Sequence, residues 1–297
     1  MDGLHSTITL NNGVKMPRFG LRVWKTDNRT SRDSVAAAIK NGYLAIDTAR
    51  QYGNEQGTGA GIKLGLEQAG LKRSDLFVTT KLYNGEQGDY DQVSKAFENQ
   101  LKDLGLDYVD LYLMHWPVDK TYIESYHAME KLYREGKVRA IGVSNFDNDR
   151  MEKLLEEAEV IPAVNQMEFN PTNQEREILA FDQSHDIEMT AWSPLGGGES
   201  LTNPVIDALA KKYDRSAAQI ILRWEWQRDI ITVVKSTHEK RIIQNSQIFD
   251  FSLSDEDVQK INELDQGKRG LWYDDFQWHN SNGKVANGID QWPDTRK

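Results

Sequence analysis

The chain has 297 residues, more than an average domain but an ordinary length for one α/β barrel. Its formal net charge of −10 and pI of about 5.2 argue against nucleic acid or an anionic membrane as partner, so an anionic ligand must meet a local positive patch. With no cysteine it can build no disulfide framework, thiolate zinc site, iron–sulfur cluster or cysteine nucleophile.

The opening MDGLHSTITLNNG has neither a basic start nor an apolar core, which predicts no secretory signal. Within TITLNNGVKMP, the pair Asn12-Gly13 between short runs predicts a β-hairpin. Eight strand-like runs follow: FGLRVW (19–24), LAID (44–47), LFVTTK (76–81), YVDLYLMH (108–115), VRAIGVS (138–144), AVNQMEF (163–169), IEMTAW (187–192) and DIITVV (229–234). Helical patterns separate them. Over Gln92 to Leu104, for example, Val93, Ala96, Phe97, Gln100, Leu101 and Leu104 repeat at helical spacing, and Asn203 to Gln227 carries two more helical patterns. Eight β/α alternations predict a parallel sheet closed into a (β/α)8 barrel, with residues 1–297 as one domain.

GTGAGIKLG (57–65) resembles a dinucleotide fingerprint, but Ile62 stands where its third glycine belongs, and GNEQ rather than a strand precedes it. It reads instead as a glycine-rich helix packed closely on the barrel. SLSDEDVQKINEL predicts a helix capped by Ser254 with acids in its first turn. The tail from Gln266 has no periodicity and reads as a long loop. The most apolar stretch, Leu111 to Val118, is too short to cross a bilayer, so the expectation is a cytoplasmic protein.

Four polar residues stand at or just beyond predicted strand ends: Asp47, Tyr52, Lys81 and His115. Taken singly, each has a plain explanation: a packing tyrosine, a lysine reaching for water, a bonded core histidine, an aspartate capping a turn. In a barrel, however, these ends converge on one face, where four such groups make poor core material. Together they suit carbonyl reduction. Lys81 would lower the tyrosine pKa from about 10, and Asp47 would hold the lysine charged. His115 would donate to the substrate oxygen and share the developing negative charge with Tyr52. No metal is called for, and the hydride must come from a cofactor.

The runs AIDTARQYGNE, TTKLYN, LYLMHWP, KVRAIGVSNF, NQMEFNP, AWSPLGGG and VVKSTHEKRIIQN, in that order, resemble the aldo-keto reductase family from about Val14 to Asp265. Members acting on small or sugar-like carbonyls, such as diketogluconate reductases, look nearest. The resemblance implies a (β/α)8 barrel and NADPH as cofactor. It also implies Asp47, Tyr52, Lys81 and His115 as a catalytic tetrad with Tyr52 as acid. Ser144, Asn145 and Gln166 match residues that hold the nicotinamide carboxamide, and Trp192 matches an aromatic stacked on its ring. Ser193, Leu195 and the run from Gly196 to Gly198 match the loop over the pyrophosphate. Lys235, Ser236, Thr237 and Arg241 match the 2′-phosphate site, where an Arg fork pairs bidentately and Lys adds a point charge; Gln244 and Asn245 match adenine contacts.

Trp24, Tyr83 and Trp116 match the family's apolar substrate pocket, with Trp272 and Tyr273 of the tail as candidates at its mouth. The chain departs from the family pattern at Arg22, which replaces a common glycine, and at Tyr83, Val234 and Gln244, which replace a common tryptophan, proline and glutamate. Arg22 is expected to narrow the pocket or favour acidic substrates. The implied partner is a small aldehyde or ketone, and the expected assembly a monomer or weak homo-oligomer. Two other readings stay open: a cofactor-sensing or accessory subunit of the same fold with little turnover, and a Schiff-base aldolase using Lys81.

Overall fold

A computed structural model describes residues 3–270; Trp272 and Tyr273 lie outside the described residues. The chain begins with the expected hairpin, β1 (Thr7–Thr9) paired antiparallel with β2 (Lys15–Pro17). Its turn is closed by the Gly13 amide donating to the Leu10 carbonyl (2.8 Å), with Gly13 in the left-handed region at φ +85°. Leu10 and Met16 of the hairpin are buried against Ala45, Phe77, Leu111, Ala140 and Ile231, so it plugs the end of the barrel where the strands begin.

Eight parallel strands then close into a barrel: β3 (Phe19–Arg22), β4 (Ala45–Asp47), β5 (Phe77–Leu82), β6 (Val109–Met114), β7 (Val138–Ser144), β8 (Val164–Glu168), β9 (Glu188–Trp192) and β10 (Ile231–Lys235). Closure comes from β10, which pairs with both β9 and β3. The eight strand-like runs are these eight strands, with small shifts at their ends. In FGLRVW the strand ends at Arg22: the Val23 amide still donates to the Asp47 carbonyl (3.2 Å), but the Val23 carbonyl is taken by the Asn54 side chain (2.8 Å). Strands covered on both faces account for the nearly continuous apolar runs of β5 and β6, whose residues are all buried.

Helices surround the strands: α1 (Asn28–Lys40), α2 (Glu55–Ala69), α3 (Tyr90–Leu104), α4 (Tyr122–Arg134), α5 (Asn148–Glu157), α6 (Arg176–Ser184), α7 (Pro204–Tyr213), α8 (Ala217–Gln227), α9 (Glu239–Asn245) and α10 (Asp255–Asn262). Their starts follow local chemistry. Asp27 and Asp89 accept from the amides of Thr30 and Gln92, Ser216 and Gln219 form a reciprocal capping box, and Ser254 accepts from the Asp257 amide.

The glycine-rich run is helical, within α2, but its close contacts differ from the expectation. They are with neighbouring helices rather than with the barrel strands. A Cβ on Gly57 would strike the Asn28 carbonyl, one on Gly59 the Leu104 carbonyl, and one on Gly65 the Ile39 side chain. The glycines therefore let α2 sink between α1 and the end of α3. No helix among the described residues is long and apolar enough to cross a membrane.

Candidate active site

The segment from Ala45 to Glu55 builds most of the site. After β4 delivers Asp47, a short 3-10 turn (Arg50–Tyr52) ending at Gly53, φ +65°, presents Tyr52. Arg50 pins this turn through Asp103 (2.8 Å) and Glu86 (3.2 Å). Asn54 ties it to the loop after β3 by donating to the carbonyls of Val23 and Thr26. Behind it, buried Glu55 accepts from Thr80 Oγ1 (2.7 Å) and Gln100 Nε2 (3.0 Å), and Gln100 also donates to the Lys81 carbonyl. Burial pushes the Glu55 carboxyl up to about 7, against the pull of these hydrogen bonds and of Arg50.

The four strand-end residues meet. Lys81 Nζ donates to both Asp47 oxygens (2.7 and 2.8 Å), to the Thr48 carbonyl (2.9 Å) and to the Tyr52 hydroxyl at 3.4 Å. The His115 ring stands edge-to-face with Tyr52, centroids 5.8 Å apart, and its Nδ1 is buried without a partner among the described residues. All four are at most 5% exposed. Burial brings the Lys81 ammonium down to about 8, although Asp47 pulls the other way. Burial, then the charges of Lys81 and Arg22, hold His115 well below the usual imidazole range, so the ring is neutral at pH 7.

The expected lowering of the Tyr52 pKa by Lys81 does not hold. Burial pushes the Tyr52 phenol well up rather than down, and the largest opposing pull comes from Arg22, not Lys81. Arg22 Nε donates to the Tyr52 hydroxyl at 2.8 Å and lies 3.7 Å from Asp47 Oδ1. Two cations thus flank one phenol oxygen.

The residues matched to the carboxamide form a single network. Trp192 Nε1 donates to Asn145 Oδ1 (2.9 Å), and Asn145 Nδ2 donates to Ser144 Oγ and the His115 carbonyl (3.0 Å each). Gln166 donates to Asp47 Oδ2 (2.9 Å), which leaves its own Oε1 buried and unpartnered among the described residues. That atom is a ready acceptor for an amide N–H.

A cleft of about 660 Å³ opens beside this network, its wall including Arg22, Trp24, Trp192, the loop Ser193–Glu199, Val234 and Lys235. Gly196, Gly197 and Gly198 all have positive φ, and a side chain on either of the last two would meet nothing within 4 Å, so the loop offers bare backbone to a ligand. Farther out, Ser236 is buried, Thr237 and Gln244 are exposed and Asn245 is buried. Lys235, on the cleft wall, and Arg241 have no ion-pair partner among the described residues. Of the aromatics assigned to the substrate, Trp24 is on this wall; Tyr83 and Trp116, buried after β5 and β6, are not. Sequence reasoning missed Lys25 and Glu168, both on the wall. Glu168 is a polar residue at a strand end, the signal that picked out Asp47 and Lys81.

The model of the aldo/keto reductase family matches residues 16–266. The chain belongs to the aldo/keto reductase family. Among its curated relatives, glyoxal reductase of Bacillus subtilis is 48% identical over 267 residues, 90% of this chain and 95% of that protein. Methylglyoxal reductase DkgA of Escherichia coli is 39% identical over 268 residues, 89% and 95% of the two chains. Among solved structures, a Bombyx mori aldo-keto reductase in complex with NADP superimposes with a TM-score of 0.87 at 35% identity, covering 92% of this chain and 97% of that one. This aldo/keto reductase therefore shares its barrel with a protein solved around a nicotinamide cofactor.

Proposed function

We propose that this aldo/keto reductase uses NADPH to reduce small aldehydes and ketones, including 1,2-dicarbonyls, with Tyr52 as proton donor. The observation that carries the reading is the Tyr52 hydroxyl set between Lys81 (3.4 Å) and Arg22 (2.8 Å), beside a neutral His115. A reduced nicotinamide bound at the cleft would supply the hydride for the carbonyl carbon. Ser144, Asn145 and Gln166 would hold its carboxamide, the free Gln166 Oε1 among them, and Lys235 and Arg241 its 2′-phosphate.

Burial keeps Tyr52 protonated at neutral pH, which is the form an acid catalyst needs. As the carbonyl oxygen gains charge, the Tyr52 proton moves to it, and the phenolate left behind is stabilised by Lys81 and Arg22. His115 cannot be the acid, because its low pKa leaves no proton to give at pH 7 beyond the one on neutral imidazole. It acts instead as a hydrogen-bond donor to the same oxygen. Asp47 holds the Lys81 ammonium charged and directed. The names of the two relatives, glyoxal reductase and methylglyoxal reductase, support 1,2-dicarbonyls as the first substrates to try.

The test is NADPH oxidation followed by absorbance against methylglyoxal, glyoxal, simple aldehydes and keto-sugars, with NADH in parallel. Turnover with NADPH is expected. Binding of NADPH without turnover on any of them would return the protein to a cofactor-sensing role.

A further inference from the structure

Arg22 ends β3 between Asp47 of β4 and Lys235 of β10, its register partners on either side. Besides its bond to Tyr52, its guanidinium carbon lies 5.3 Å from the Tyr52 ring centroid, 5.3 Å from that of Trp192 and 5.6 Å from that of Trp24. The side chain is only 7% exposed, yet it forms part of the cleft wall. Attraction to Asp47, 3.7 Å away, holds the charge near the phenol, and Arg22 and Lys235 repel each other.

Reaction geometry brings the cofactor ring into the same volume. A carbonyl protonated by Tyr52 has its oxygen about 3 Å from the hydroxyl, and its carbon about 3–3.5 Å from the hydride donor. The ring is thus within roughly 8 Å of an oxygen whose nearest cation is 2.8 Å away.

The Arg22 charge distinguishes the two oxidation states of the cofactor. Oxidised nicotinamide is a cation and reduced nicotinamide is neutral, whereas the phosphates, riboses and adenine are common to both. A buried guanidinium, poorly screened by solvent, therefore penalises the oxidised form alone. We infer that Arg22 is a specificity-determining residue for the oxidation state of the cofactor, making the site bind NADPH in preference to NADP+ and so poising it for carbonyl reduction. The inference rests on the proposed use of NADPH at this cleft, and the position is one where the family commonly has glycine.

The experiment is a pair of titrations, NADP+ and NADPH, followed by tryptophan fluorescence or calorimetry, with the wild type and Arg22→Met, Arg22→Gly and Arg22→Lys. The ratio of Kd for NADP+ to Kd for NADPH is expected to fall on the order of tenfold or more in Arg22→Met and Arg22→Gly, and to stay near the wild-type value in Arg22→Lys. The glycine variant supplies the answer should the methionine variant fold poorly, which circular dichroism would show. An unchanged ratio in both neutral variants would overturn the inference while leaving NADPH binding intact. So would equal weakening of both forms, which would mean that Arg22 rests on the phosphates. A wild type that binds neither form would remove the NADPH reading itself, and this inference with it.

Discussion

Arg22 donates from Nε to the hydroxyl of Tyr52 at 2.8 Å, a shorter contact than the 3.4 Å from Lys81. The phenol oxygen thus accepts from two cations and keeps its own proton for a third partner. This arrangement makes the oxygen the centre of the site, and its removal is the most direct perturbation.

Tyr52→Phe keeps the ring and removes the proton. Reduction should fall by about 10²- to 10⁴-fold, the usual worth of a positioned acid, while NADPH affinity changes little. Single-turnover rates and a fluorescence titration check the two halves. Retained turnover would take Tyr52 out of the acid role.

The pH profile should follow Lys81, whose ammonium burial brings down to about 8. Below that pH the charge supporting the phenolate is present; above it the charge is lost. Reduction should therefore hold from pH 6 to 7 and decline as pH rises through about 8. Asp47 is the largest influence raising the Lys81 value, so Asp47→Asn should move the break to lower pH. A break that stays put in that variant belongs to another group.

Arg241 is exposed and without an ion-pair partner among the described residues. Arg241→Ala should weaken NADPH by on the order of tenfold, the scale of one charge-assisted contact in a solvated setting, and leave NADH nearly unchanged. Calorimetric titration with both cofactors decides it. Equal weakening of both would place Arg241 away from the 2′-phosphate.

Glu225 of α8 is fully buried, with Oε2 accepting from Thr232 Oγ1 (2.7 Å) and Oε1 lacking a partner among the described residues. Burial pushes its carboxyl up to about 8 from an ordinary 4.5. A raised folded pKa means a contribution present below the unfolded value and lost as pH rises through about 8. Glu225→Gln has no such proton to lose, so its Tm relative to wild type should improve from about pH 5 up to about 8 and level off above that. Thermal scans across that range would show it, and a constant difference would mean that the carboxylate is solvated in the folded protein.

Most of the fold could be read from the chain alone because its signals are local. Apolar runs of four to eight residues alternating with helical spacing marked all eight barrel strands, and Ser254 with its following acids marked the start of α10. Asn12-Gly13 marked the hairpin turn for the same reason. Side-chain chemistry at strand ends is also local, so Asp47, Tyr52, Lys81 and His115 stood out before their distances were known. Glu168, at the end of β8, carries the same signal.

What the chain could not disclose depends on distance through space. That the α2 glycines face α1 and the end of α3 rather than the strands is set by how helices settle against one another. That Tyr52 is raised rather than lowered follows from burial, which no short segment determines. Arg22 could be recognised from sequence as an unusual residue; only closure of the barrel, which brings β3 beside β4 and β10, put its charge on the phenol. Local pattern determined which polar residues stand at the strand ends, while desolvation and charge proximity, both properties of the assembled barrel, decided how they are tuned.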